Sequence, residues 1–169
     1  NENRMRSADP DGGRSTAQLR YVPHPRSGGR MDREALLGAL ASFSLFADLS
    51  QPELEGISHT FDEEWYSEGQ RILRRGFAGS GFHLILEGEA AVRIDGDDRA
   101  RLARGDFFGE ISALLREPPS ADVVALTPLR CLLLPGSQLH DWLMAKPTIA
   151  FRMLQSELRR LKVANEWRS

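Results

Sequence analysis

The chain has 169 residues, 41% hydrophobic and 27% charged, with a formal net charge of −2 at pH 7. This is the composition of one ordinary globular domain with a core of its own, and the charge gives no footing for non-specific nucleic-acid binding. No run approaches the roughly 18 apolar residues of a membrane helix, no apolar signal core opens the chain, and a single cysteine, Cys131, excludes an internal disulfide; a cytoplasmic protein is expected.

Charge is unevenly spread. Residues 1–30 hold six Arg against Glu2, Asp9 and Asp11, a balance of +3, so the remainder carries −5. Pro10, Gly12, Gly13, Pro23, Pro25, Gly28 and Gly29 crowd the same stretch. It buries too little apolar surface to offset its ordering entropy, which predicts a disordered leader over 1–30. Met31 opens a better-patterned stretch and is the expected start of the folded unit, 31–169, or of the natural protein.

A helical lead-in is predicted over 32–58. Asp32 is placed to cap a first helix and Ser50 to cap a second, Gln51 to Ser58, with Pro52 in its first turn where a missing N–H costs nothing. From residue 61 to 135 the period shortens. Phe61–Tyr66, Arg71–Arg74, Phe82–Glu87, Ala90–Ile94, Arg99–Ala103, Asp122–Leu126 and Leu129–Leu134 are strand-length runs separated by Gly, Asp and Pro turns. Evenly spaced short strands predict a mainly β sandwich or closed barrel with flanking helices.

Helical spacing returns after Ser137. Gln138–Lys146 reads as one helix that Pro147 ends or kinks, and Thr148–Trp167 as another, giving two closing helices over 137–167. Phe151, Leu154, Leu158, Leu161 and Asn165 fall at spacings of three and four on one face, with Arg152, Arg159, Arg160 and Lys162 mostly outside it. The stripe is expected to pack on the chain's own barrel or, second, on a partner helix.

The most informative run is Gly105 to Ala125: a strand-like tail, Phe-Gly-Glu, a short apolar helix, a Pro-containing turn and a β-branched strand. Gly109 permits backbone geometry and close approach that a Cβ would block. The free N–H groups at Glu110–Ser112 would point at whatever precedes the helix and favour an anion. Glu110 beside them makes sense as an acceptor for sugar hydroxyls. The plainer alternative is a strand-to-helix turn whose Glu steadies the helix start.

Five pieces carry a resemblance: Leu45-Phe-Ala-Asp-Leu-Ser, the run from Gly69 to Gly76, the run from Phe82 to Val92, the run from Leu102 to Leu114, and Ser120-Ala-Asp-Val-Val-Ala. Residues from about 43 to 165 resemble the cyclic-nucleotide-binding domain of kinase regulatory subunits, gated channels and bacterial catabolite-activator-type regulators. The resemblance implies helices, a jelly-roll-like β-roll of about eight strands with a phosphate-binding cassette inside, and two closing helices. It assigns Glu110 to a ribose 2′-hydroxyl, and the amides around Ile111, Ser112 and Ala113 to the cyclic phosphate. It also aligns Ser120 and Ala121 with the small residues that follow the family's phosphate-binding Arg. That Arg position is Pro119 here, and position 122, often Thr in the family, is Asp. Arg116, or else Arg101, is the candidate compensating base. The implied ligand is cAMP or cGMP, and the implied partner a protein or a second copy through 148–167.

Competing chemistries have less support. His24, His59, His83 and His140 lack metal-ligand spacing, and His83 reads as a satisfied structural or edge residue. Asp62-Glu63-Glu64 reads as a solvated strand start rather than an acid/base pair. Ser112 and Ser120 have no nearby His and no nucleophile elbow. Cys131 reads as inert core, and the tryptophans are too scattered for a nucleic-acid stacking platform. The sequence after the last helix holds no DNA-binding segment, and no convergent catalytic set is visible. The expectation is a non-enzymatic sensor module. The alternative is a degenerate member of the fold that has given up nucleotide for protein interaction or dimerisation.

Overall fold

The computed structural model describes residues 29–79 and 81–166. The predicted disorder of the leader and the Trp167 end of the last helix lie outside them. Two antiparallel four-stranded sheets face one another. β1 (Asp62–Tyr66), β8 (Leu129–Pro135), β3 (Gly81–Glu87) and β6 (Phe107–Phe108) form one, in that spatial order; β2 (Arg71–Leu73), β7 (Asp122–Ala125), β4 (Ala90–Ile94) and β5 (Asp97–Leu102) form the other. The helices are α1 (Arg33–Ser42), α2 (Gln51–Thr60), α3 (Glu110–Leu115), α4 (Gly136–Met144) and α5 (Pro147–Glu166), with a 3₁₀ turn at Ser44–Phe46. This is the mainly β roll with flanking helices that the strand spacing implied.

The caps fall where expected. The Asp32 carboxylate accepts from the Ala35 N–H, and Ser50 with Glu53 closes a capping box on α2. Pro147 opens α5 instead of kinking its predecessor, since a first-turn proline loses no hydrogen bond. α4 starts two residues earlier than predicted, at Gly136. Phe107–Phe108, read only as a strand-like tail, pairs with His83 and Leu84 as the short edge strand β6.

β3 explains the architecture. Its Phe-His-Leu-Ile-Leu run is buried throughout because both faces are covered. Phe82, Leu84 and Leu86 point to a cluster shared with α1, α2, α4 and α5, whereas Ile85 joins Leu73, Leu102, Phe108, Val123 and Cys131 between the sheets. Burial raises the Cys131 thiol pKa, consistent with inert core.

Two expectations fail. Glu63 is not solvated: its side chain is 7% exposed and pairs with Arg130 on neighbouring β8 at 3.2 Å. The Arg130 guanidinium also lies 3.9 Å over the Trp65 ring and donates to the Gly29 carbonyl, while the Glu63 carboxylate takes the Met31 N–H. Cross-strand register, invisible in a local acidic run, brings the cation there. Nor does the α5 stripe pack on the roll. Ile149 and Met153 do, while Phe151, Leu154, Leu158 and Leu161 are each more than half exposed. The inward face lies roughly opposite the stripe, and it is secured by polar contacts: Arg152 donates to the Ala47 carbonyl, and Arg160 reaches the roll.

Candidate functional site

The site is assembled where β6 turns into α3. Phe107 faces the helices and Phe108 the roll interior, by ordinary strand alternation. The chain then reverses at Gly109 with φ of 87°. A Cβ built there would stand 1.9 Å from the Gly81 carbonyl oxygen, so both space and backbone angle require glycine.

His83 sets that close approach. Its Nδ1 lies 2.8 Å from the same Gly81 oxygen, its Nε2 2.9 Å from the Tyr66 hydroxyl, and its ring stacks on Phe108 at 4.6 Å. Burial pushes its pKa down to about 4, so it is neutral under ordinary conditions, a satisfied structural residue as expected. What sequence reading missed is that this histidine steadies the turn that aims Glu110. The only local signal was a polar residue inside an otherwise apolar strand.

Glu110 opens α3 and is 4% exposed. Its Oε1 lies 3.5 Å from Arg160 of α5, and its Oε2 is buried with no hydrogen-bond partner. Burial first, and the nearby Glu157 charge second, raise its pKa to about 7; its own backbone N–H and Arg160 pull the other way. A hydroxyl donated to Oε2 would favour the ionised form. Arg160 is multiply held: it donates to Glu157 at 2.8 Å and to the Phe107 carbonyl at 2.8 Å, and stacks 4.4 Å over the Phe107 ring. The sequence assigned Arg160 only to the polar side of α5. Its approach to Glu110 depends on a tertiary contact across 50 residues.

Ser112 and Ala113 are buried with Glu110 in the first turn of α3, while the Ile111 side chain is half exposed and contributes its backbone. The Ser112 hydroxyl donates to the Gly109 carbonyl at 3.2 Å. Arg116, the candidate compensating base, ends α3 in a left-handed conformation and is exposed. It borders a cleft of about 440 Å³ between α3 and the start of α4, with Ser112, Glu117, Ser137 and His140. Arg101 sits on β5, exposed and 3.7 Å from Glu89. Pro119 is buried, its carbonyl taken by the Gly76 N–H. Ser120 is exposed and Ala121 half-buried. Asp122 is already engaged, accepting the Arg75 N–H at 2.8 Å and pairing with Arg71 at 3.4 Å.

A β-roll whose edge strand turns through a tight Gly-Glu step into a short helix, closed by two further helices, is the cyclic-nucleotide-binding type of fold. Residues 63–146 match the family described as the cyclic nucleotide-binding domain, and this domain belongs to that family. A cGMP-dependent protein kinase of Caenorhabditis briggsae is 34% identical over 105 residues, 58% of this chain and 14% of the kinase. Among solved structures, cAMP-bound PfPKA-R superposes with a TM-score of 0.69 at 22% identity, over 80% of this chain and 47% of that one. The catabolite activator protein of Thermus thermophilus gives 0.63 at 27% identity, over 72% and 59%. The chain therefore spans 14%, 47% and 59% of these three relatives, less than two thirds of each.

Proposed function

We propose that the domain is a non-enzymatic cytoplasmic regulatory module that takes cAMP or cGMP at Glu110 and the α3 amides, with weakened hold on the phosphate, and signals through α5. The observation that carries this reading is the buried, unpartnered Oε2 of Glu110, which wants a hydroxyl donor. Glu110 also touches Arg160, so whatever occupies the site bears on the helix that would carry the output.

The weakness follows from Pro119. An Arg–phosphate fork is a strong, charge-assisted contact. Lacking one member of such a pair costs roughly 2–5 kcal/mol, or about one and a half to three and a half decades of affinity. Proline has no N–H to offer instead. Calorimetric titration with cAMP and then cGMP tests the reading: dissociation constants between about 0.1 and 10 mM are expected, and silence at 10 mM would sink it.

A second reading has its own observation. Asp122, beside the emptied Arg position, is committed to Arg71 and the Arg75 amide, and so joins Pro119 in closing the phosphate side to an anion. On that reading the domain serves protein interaction or dimerisation through 148–167 without nucleotide.

A further inference from the structure

We infer that the outer face of α3, with the loop that follows β2, docks an acidic amphipathic segment of another protein. This surface lies apart from the outer stripe of α5, and the inference stands with or without a nucleotide at Glu110.

α3 is only six residues long, yet it leaves two neighbouring leucines outside: Leu114 is 40% exposed and Leu115 61%. Phe77, in the loop after β2, is 56% exposed. Backbone groups hold this loop against the turn that follows α3. The Gly76 N–H donates to the Pro119 carbonyl, and the Arg75 N–H to the Asp122 carboxylate. Beside them the cleft of about 440 Å³ opens between α3 and α4, with Ala78, Ala113, Leu114 and Pro118 as its apolar lining. Phe77 and Leu115 stand outside that cleft, so an occupant that covers them as well is longer than a metabolite. Large apolar side chains exposed around a cleft mark a surface for another protein. Pro118 and Pro119 stiffen the turn between the two elements, so docking orders little chain.

Rim charge selects the partner. The Arg74 guanidinium lies 4.3 Å over the Phe77 ring, and Arg116 ends α3 exposed. Their neighbours Arg71 and Arg75 face Asp122 at 3.4 Å and Asp95 at 2.7 Å. Among the described residues, Arg74 and Arg116 face no carboxylate. Glu117 is the one carboxylate in the cleft lining, so cations are in excess here although residues 31–169 carry −5 in all. A guanidinium stacked on a ring keeps its N–H edge for a carboxylate while the ring takes an apolar side chain. The partner that fits carries one or two large apolar side chains flanked by Asp or Glu.

The surface is small, which places the contact in the weak, transient class, with a dissociation constant on the order of 10–100 μM. Its exposed charges add selectivity more than strength.

Selection of a displayed library of random dodecamer peptides on the whole chain, followed by fluorescence anisotropy of the enriched peptides, tests this. Enriched peptides are expected to combine Leu, Phe or Trp with Asp or Glu. Their affinity should fall roughly tenfold or more in Leu115→Asp. It should fall about tenfold when Arg74→Glu and Arg116→Glu are combined, and weaken as salt rises from about 50 to 500 mM. All three positions are exposed, so far-UV spectra should not change. Leu158→Lys on α5 should leave binding as it is. No enrichment would overturn the proposal, and so would enriched peptides without acidic residues. Peptides indifferent to Leu115→Asp, or lost in Leu158→Lys, would place the docking elsewhere and overturn it too. Self-association in sedimentation equilibrium that Leu115→Asp abolishes would give the face to a second copy and overturn the partner named here. None of these outcomes touches the nucleotide reading, which the calorimetric titration tests separately.

Discussion

The two sides of the α3 cradle have opposite character. On the Glu110 side, Gly81, His83, Phe108 and Gly109 hold Glu110 buried with one oxygen still unpartnered, and Arg160 of α5 touches the other. On the Pro119 side, Pro119 is buried and carries no charge, Arg116 is exposed, and Asp122 is spent on Arg71 and a backbone amide. One side keeps an expensive polar arrangement and its link to a helix; the other presents no basic side chain at position 119. The buried arrangement around Glu110 and its contact with α5 therefore stand without a basic side chain at position 119.

The comparison is broken most severely at Gly109. Gly109→Val would force a branched side chain into a left-handed φ against the Gly81 carbonyl. A loss above about 4 kcal/mol is expected, read as a fallen urea midpoint or an unfolded far-UV spectrum. Next comes Pro119→Arg, which places a cation there and should raise cyclic-nucleotide affinity by roughly one and a half to three and a half decades in a calorimetric titration. An unchanged affinity would mean that a phosphate is held elsewhere.

The Glu110 side is sharpened by pH. Glu110, raised from 4.5 to about 7, contributes stability that is fully present below pH 4.5 and is lost as pH rises through 7. His83, lowered from 6.5 to about 4, contributes stability present above pH 6.5 and lost as pH falls through 4. Each shift is worth about 3 kcal/mol, with opposite sign over nearly the same window. The unaltered protein should therefore change little in stability between pH 6.5 and 4. Glu110→Gln removes one arm, and a loss of about 3 kcal/mol on acidification through that range is expected from denaturant midpoints. The smallest effect belongs to Asp122→Asn. It keeps an acceptor for the Arg75 N–H and gives up only a half-exposed ion pair with Arg71, so less than about 1 kcal/mol should be lost.

Where the physics is local, sequence reading worked. Asp32 and Ser50 announce their helices through side-chain capping, and the Gly-punctuated runs announce the strands, so the roll was legible before any coordinates. Gly109 and Glu110 were legible because one turn demands a residue without a Cβ and the next residue starts a helix. The errors share one cause. Glu63 looked solvated because its cation, Arg130, comes from a strand 67 residues away. Arg160 looked like surface because Glu110 and the Phe107 carbonyl approach it only in the folded chain. The α5 stripe was identified correctly, but its periodicity could not say which face of the helix meets the roll, and polar anchors turned it outward.

The contact between Arg160 and Glu110 has a consequence for measurement. Any hydroxyl donor that prefers one arrangement of that pair changes the free energy of α5's position, and thermodynamic reciprocity makes the influence equal in both directions. A protein clamped onto α5 would shift small-molecule affinity at Glu110 by the same factor by which that molecule shifts the clamp. A faint ligand could then escape notice when titrated alone and become visible as a change in the strength of a protein contact.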